Sequence, residues 1–231
     1  MPSATSVVHI DASLRLDGGV VDLASRVLVA GVVPEPRFGR EAEVAATAGA
    51  VVQAGAHLVD VSLAPRLIGP AVRAAALPVV VRATTIEAAV AAWRAGAAVI
   101  LVPIAALPEL AAATSDVWSG TSTRSSAARS SRPSGDASPA LVALVDDLPG
   151  IEGARAEAER TGVPLAYDSS RWSGAEAMAR EAAAVAEGCR ILRTTDVRRT
   201  RRVAEVMAAI LDARRHPAAT PSSDVDDEGP R

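Results

Sequence analysis

The sequence contains no lysine, and all 24 of its basic residues are arginine. That excludes a Schiff base, a lysine general base and a phosphate-loop lysine. Arginine binds anions and stacks on flat rings, but it does not release a proton at neutral pH. Asparagine is missing too; with the abundance of Ala, Val and Arg, this fits the coding bias of a high-GC bacterium. The single cysteine, Cys189, rules out an internal disulfide and a cysteine metal cluster, and fits a reducing cytosol. The three histidines lie far apart, so no zinc pattern exists. Aromatic residues are only 2% of the chain while hydrophobic residues reach 49%, so a core must be built from Ala, Val, Leu and Ile. A net charge of −3 argues against a general nucleic-acid binder. The most apolar stretch, 95–107, is too short to span a bilayer. Residues 1–25 carry aspartates and lack the apolar segment of a secretory signal. The expectation is a soluble cytoplasmic protein with no nucleic-acid or membrane partner.

What is present is a repeated punctuation of helix, glycine turn and strand. It reads Ala54-Gly55-Ala56-His57-Leu58-Val59-Asp60-Val61, returns at Ala95-Gly96-Ala97-Ala98-Val99-Ile100-Leu101-Val102, and has looser copies at Gly162 and Gly188. Glycine after a helix supplies the left-handed cap residue. The apolar runs that follow suit strands covered on both faces, as in parallel sheets. Strands are predicted to start near Val27, His57, Pro78, Ala98, Ala140, Pro164 and Arg190. Helical patterns cover Arg40–Ala54, Leu67–Ala76, Ile86–Ala95, Ile151–Thr161, Gly174–Glu187 and Thr200–Arg214. Such alternation implies βα units.

The strand starts are evenly spaced except between Ala98 and Ala140, a gap about two units long. It includes a Ser/Arg/Gly/Pro-rich stretch at 119–139 that reads as a disordered insertion. Seven strands plus one eroded fifth unit give the eight of a (β/α)8 TIM barrel. The rival is an open doubly wound sheet with a long loop; the barrel is preferred because no Gly-rich nucleotide fingerprint follows any strand. Apolar patches at 7–10 and 20–23 around Asp17-Gly18-Gly19 read as an N-terminal hairpin covering the barrel bottom. The domain expectation is a hairpin extension at 1–25, a barrel at 26–215 and a disordered acidic tail at 216–231.

Several strand ends carry motifs. Pro164-Leu165-Ala166-Tyr167-Asp168-Ser169-Ser170-Arg171-Trp172 resembles the seventh strand of the dihydropteroate synthase family, which ends in Ser-Arg-Lys. Ile191-Leu192-Arg193-Thr194-Thr195-Asp196-Val197 is similar to that family's last strand, Arg-Val-His-Asp-Val. Gly31 to Phe38 looks like a shortened first strand and loop, and Ala54 to Val61 resembles the second strand. The resemblance spans most of residues 26–211 with a gap at strand five. It implies a TIM barrel that binds a dihydropterin pyrophosphate in its mouth and joins it to p-aminobenzoate, with magnesium assisting loss of pyrophosphate. It also implies dimerisation through barrel helices.

The departures from the pattern are severe. The strand-three aspartate is replaced by Arg82, and the strand-four Asn-Asp pair by Leu101-Val102. Trp172 stands for the lysine, Thr195 for the last-strand histidine and Val33 for the first-loop asparagine. The resemblance retains Asp60, one of Asp146 or Asp147, Ser170, Arg171, Arg193 and Asp196. With Arg82, these are the candidate ligand-binding residues, and no catalytic or metal-ligating residue is assigned. Two readings of the mouth follow. Arg82, Arg171 and Arg193 hold a phosphate or carboxylate, or they pair with Asp60, Asp146, Asp168 and Asp196 and close it.

Asp60 either caps the next helix or contacts ligand. Trp172 is a stacking surface or a plug. Cys189 and His57 read as structural. Arg198-Arg199-Thr200-Arg201-Arg202 reads as a solvated face, with an anion or the tail 224–228 as alternatives. The functional expectation is a pseudoenzyme with a residual or altered anionic ligand, a pterin or a phosphate-bearing small molecule. The alternative is a non-catalytic partner of an active paralogue, as a homodimer or heterodimer. Magnesium enters only if the family activity is retained.

Overall fold

The computed structural model describes residues 13–16, 19–34, 41–61, 65–120 and 139–215. Within them, seven parallel strands close into a barrel: β3 (Leu28–Val32), β4 (Leu58–Asp60), β5 (Val79–Arg82), β6 (Val99–Pro103), β7 (Ala140–Val145), β8 (Leu165–Asp168) and β9 (Ile191–Thr194). Each starts within a residue or so of its predicted position. β3 pairs with β9 from Leu28–Ile191 to Gly31–Thr194, which closes the ring. Helices follow the strands in turn: α1 (Glu41–Gln53), α2 (Pro65–Ala74), α3 (Ile86–Arg94), α4 (Leu107–Gly120), α5 (Ile151–Thr161), α6 (Gly174–Ala186) and α7 (Val197–Arg215). A parallel strand can only be reached by a crossover of this kind.

Closure happens on seven strands. β6 pairs directly with β7 from Val99–Ala140 to Pro103–Leu144, with no strand between them at the place expected for the fifth unit. That ladder is the longest in the barrel among the described residues. A closed ring excludes the open doubly wound sheet. The sequence reading left α4 and the 3₁₀ turn before it, Ile104–Ala106, inside the long gap. The predicted insertion at 119–139 falls almost wholly outside the described residues, as does the tail at 216–231.

The four punctuating glycines behave as caps. Gly55, Gly96, Gly162 and Gly188 have φ of 94°, 102°, 69° and 108°, values that favour a residue without Cβ. Gly31 has a different role. A Cβ there would collide with Val51 of α1 and Val197 of α7, so glycine lets both helices settle onto β3.

Two apolar layers result. Leu28, Ala30, Leu58, Val80, Val99, Leu101, Val142, Leu144, Ala166 and Ile191 point into the barrel. The alternate residues, among them Val29, Val59, Val81, Ile100, Ala143, Tyr167 and Leu192, pack against the helices. As the composition requires, Ala, Val, Leu and Ile supply most of both layers, with Tyr167 a buried aromatic in the outer one.

The hairpin is β1 (Ser13–Leu16) against β2 (Gly19–Asp22). Its first strand is therefore Ser13–Leu16; the apolar patch at 7–10 lies outside the described residues. Leu14 and Leu23 are fully buried against the barrel-axis residues, so the hairpin seals the bottom. Each such leucine contributes roughly 1.5–3 kcal/mol of burial. No helix among the described residues is long and apolar enough to cross a membrane.

Candidate functional site

The carboxyl ends of β4, β8 and β9 meet at one group. The Arg193 guanidinium, only 10% exposed, donates from Nε to Asp60 Oδ2. Its Nη1 donates to Asp168 Oδ2 and to Ser170 Oγ, each at 2.8 Å. Asp168 Oδ1 accepts the Ser170 backbone N–H at 2.9 Å. Asp60 and Asp168 are buried, and burying such charges requires pairing and hydrogen bonding of this quality. Burial pushes the Asp168 carboxyl up, but the Ser170 hydroxyl and backbone N–H, together with Arg193, outweigh it and hold it below the usual carboxylate range. Burial opposes the charge on Arg193, yet Asp60 and Asp168 raise its pKa above the ordinary value.

Closer to solvent, Asp146 follows β7 and stands between two other arginines. Its Oδ2 is 3.5 Å from Arg82 Nη2, and its Oδ1 is 3.9 Å from Arg171 Nη2. Of the neighbouring pair Asp146 and Asp147, Asp147 Oδ1 accepts the Gly150 backbone N–H at 3.1 Å in a turn, and Asp146 faces the arginines. Arg193 thus joins the acidic residues in pairing, as one of the two readings held, while Arg82 and Arg171 remain partly exposed with side chains at 35% and 55%.

Asp196 does not join either group. It is exposed, and its Oδ1 accepts the Arg199 backbone N–H at 3.2 Å, so it caps the start of α7. That helix begins at Val197, three residues before its predicted start. The basic run is therefore not a uniformly solvated face. Arg199 is turned inward, and Arg201 bonds the Gly55 carbonyl at 2.8 Å and Glu205 at 2.8 Å. Trp172 is half-buried with the Arg180 guanidinium 3.8 Å over its ring.

A second polar cluster lies behind the mouth and escaped the sequence reading. Glu181 of α6 is fully buried. Its Oε1 accepts Ser169 Oγ at 2.6 Å, Thr200 Oγ1 at 2.8 Å and Arg199 Nη2 at 3.1 Å. Thr200 Oγ1 also lies 2.9 Å from Thr194 Oγ1. Ser169 bridges the two clusters, because its backbone N–H and hydroxyl both address the Arg193 carbonyl. Glu181 shares a helix face with the buried Ala177, Ala184 and Val185, and a glutamate buried on such a face demands partners.

Cys189 is buried, and burial pushes its thiol up to about 12, so it is no nucleophile at neutral pH. His57 Nδ1 accepts the Val29 backbone N–H at 3.0 Å. Burial first, then Arg201 and Arg26, lower its pKa against the opposing pull of Glu205. Both are structural, as their sequence positions suggested. The donor set does not fit a protein-held magnesium ion. Among the described residues no three His, Cys, Asp or Glu side chains gather at one point, and Asp60 and Asp168 are both engaged by Arg193.

No family model matches the chain, and no curated protein is similar to it in sequence. Its fold does match solved structures. Dihydropteroate synthase of Burkholderia cenocepacia, solved with 7,8-dihydropteroate, superposes with a TM-score of 0.60 at 17% identity over 89% of this chain and 98% of its own. The Stenotrophomonas maltophilia enzyme, with active site-bound imidazole, gives 0.58 at 21% identity over 90% and 100%. The Yersinia pestis enzyme gives 0.56 at 15% over 90% and 99%. At such identities the likeness speaks for the backbone, and the chain has the fold of the dihydropteroate synthases.

Proposed function

We propose that this protein is a dihydropteroate synthase-like barrel of the cytoplasm that no longer joins pterin to p-aminobenzoate and that retains an anionic-ligand site on Arg82 and Arg171. The observation that carries the reading is the Arg82–Asp146 pair. The family resemblance places an aspartate at the position of Arg82, and one of Asp146 or Asp147 stands for another. Two carboxylates can accept the amino and ring N–H groups of a pterin. An arginine facing an aspartate turns that double acceptor into an internal ion pair.

The rest of the mouth points the same way. Leu101 and Val102, in place of the Asn-Asp pair, are fully buried and apolar. Asp60, a retained acidic residue, is engaged by Arg193. Losing this set of groups should remove several kcal/mol of transition-state stabilisation, because each oriented donor or acceptor contributes roughly 2.7–4 kcal/mol. The partly exposed Arg82 and Arg171 are suited to a carboxylate or phosphate. The direct experiment is calorimetry with 6-hydroxymethyl-pterin pyrophosphate and with simple phosphates, followed by a turnover assay with p-aminobenzoate. Binding of the simple anion without turnover is expected. Formation of dihydropteroate would overturn the loss of activity.

A second reading, a non-catalytic partner of a paralogue or of its own copy, draws on α7 and α6. Val206 and Ile210 lie one turn apart on α7 and are 60% and 39% exposed, and Met178 on α6 is 42% exposed. Apolar side chains held in water on adjacent helices suit a helix-mediated dimer. Light scattering on the purified protein tests it: a monomer that no paralogue captures would remove this reading.

A further inference from the structure

We propose that Asp146 is a built-in occupant of the anion site on Arg82 and Arg171, and that a phosphate group on a small ligand binds by displacing it. The inference rests on the anionic-ligand reading above. The geometry that points to it is the looseness of the outer group. At 3.5 and 3.9 Å from the two guanidiniums, Asp146 is well beyond the roughly 2.7–2.9 Å of a charge-assisted hydrogen bond. Its Oδ1 is shielded from water yet accepts no hydrogen bond. A carboxylate oxygen left in that state has lost hydration without gaining a donor. Asp168 makes the contrast, since both of its oxygens hold donors at 2.8–2.9 Å.

The arginines come from separate units, β5 and the segment after β8, and converge on one carboxylate. That is how a protein arranges two planar forks around an oxyanion. Asp146 carries the charge such a ligand would bring but cannot reach both forks at full contact. A phosphate has three oxygens to distribute and is not tethered to β7, so it can meet both at hydrogen-bond length. Asp146 then moves toward solvent, to which its side chain is already 41% exposed. Its negative charge also repels the incoming anion until it moves. The site is therefore self-inhibited, and its affinity is set by how readily Asp146 leaves.

The test is titration of the full chain with inorganic phosphate by calorimetry, for the wild type and for Asp146→Asn. The substitution should tighten binding about threefold to fivefold, as removal of one competing half-exposed ion pair would. Adding Arg82→Gln or Arg171→Gln to Asp146→Asn should abolish the gain. Equal phosphate affinity in the wild type and Asp146→Asn would overturn the occupant role while leaving the anion site standing. No phosphate binding by either would remove the anion site itself. Asp146→Ser serves as a second variant should the asparagine variant fold poorly. The Nε–H resonances of Arg82 and Arg171 offer an independent readout, because phosphate should shift both if it takes the place of Asp146.

Discussion

Two arginine–aspartate groups occupy the same mouth and are built in opposite ways. In the inner one, Arg193 is buried, holds Asp60, Asp168 and Ser170, and is held in place by a strand on either side. In the outer one, Arg82, Asp146 and Arg171 are half-exposed and stand at 3.5–3.9 Å. Depth accounts for the difference. A buried charge without a close partner is costly, so the inner group must be complete. Water tolerates imperfection at the rim. Completeness leaves the inner group nothing to offer a ligand, and the outer group keeps its chemistry because it is unfinished.

The comparison can be broken most forcefully at Arg193. Arg193→Ala strands Asp60 and Asp168 without their shared cation, and a stability loss of about 3–5 kcal/mol is expected in denaturant unfolding. Loss of less than ~1 kcal/mol would show that the inner group is no more demanding than the outer. Next comes Glu181→Ala, which releases the donors Ser169, Thr200 and Arg199. It should cost about 2–3 kcal/mol, read as a lower midpoint in the same experiment.

The pH profile gives a finer test. His57 has a folded pKa below its ordinary value of about 6.5, so its share of stability is present above that pH and is lost as pH falls through the folded pKa. Asp168, also depressed, holds its share above about pH 4 and loses it only in stronger acid. Thermal melts between pH 7 and 5 should therefore soften in the wild type and flatten in His57→Gln. An unchanged slope would detach His57 from the Val29 N–H. The smallest effect is expected at the rim, where Arg82→Gln should change stability by under ~1 kcal/mol. A large loss there would mean the outer pair is structural.

The barrel was legible because glycine caps and apolar strands recur with a period, and both are local signals. Gly55, Gly96, Gly162 and Gly188 announce strand starts to within a residue or so. The hairpin was read from apolar patches at 7–10 and 20–23, of which 7–10 lies outside the described residues; the strand opposite β2 is Ser13–Leu16, which carries Leu14 to the foot of the axis. At the site, strand ends located Asp60, Asp146, Ser170, Arg171 and Arg193, since topology alone brings them to one rim. Partnership was not legible. Nothing local says that Arg193 takes Asp60, 133 positions away, or that Asp196 turns to cap α7. Glu181 was missed because an alanine-rich helix has little hydrophobic contrast to mark its buried face.

Seven is an odd number, and that has a consequence for the interior. In eight-stranded barrels each layer of side chains comes from every second strand. Around an odd ring such alternation never comes out even. The axis of this barrel, filled by Leu28, Leu58, Leu101, Leu144 and Ile191 together with Ala30, Val80, Val99, Val142 and Ala166, cannot divide into two such equal sets. Returning a strand between β6 and β7 would mean unzipping the ladder from Val99–Ala140 to Pro103–Leu144 and regrading every inward residue at once.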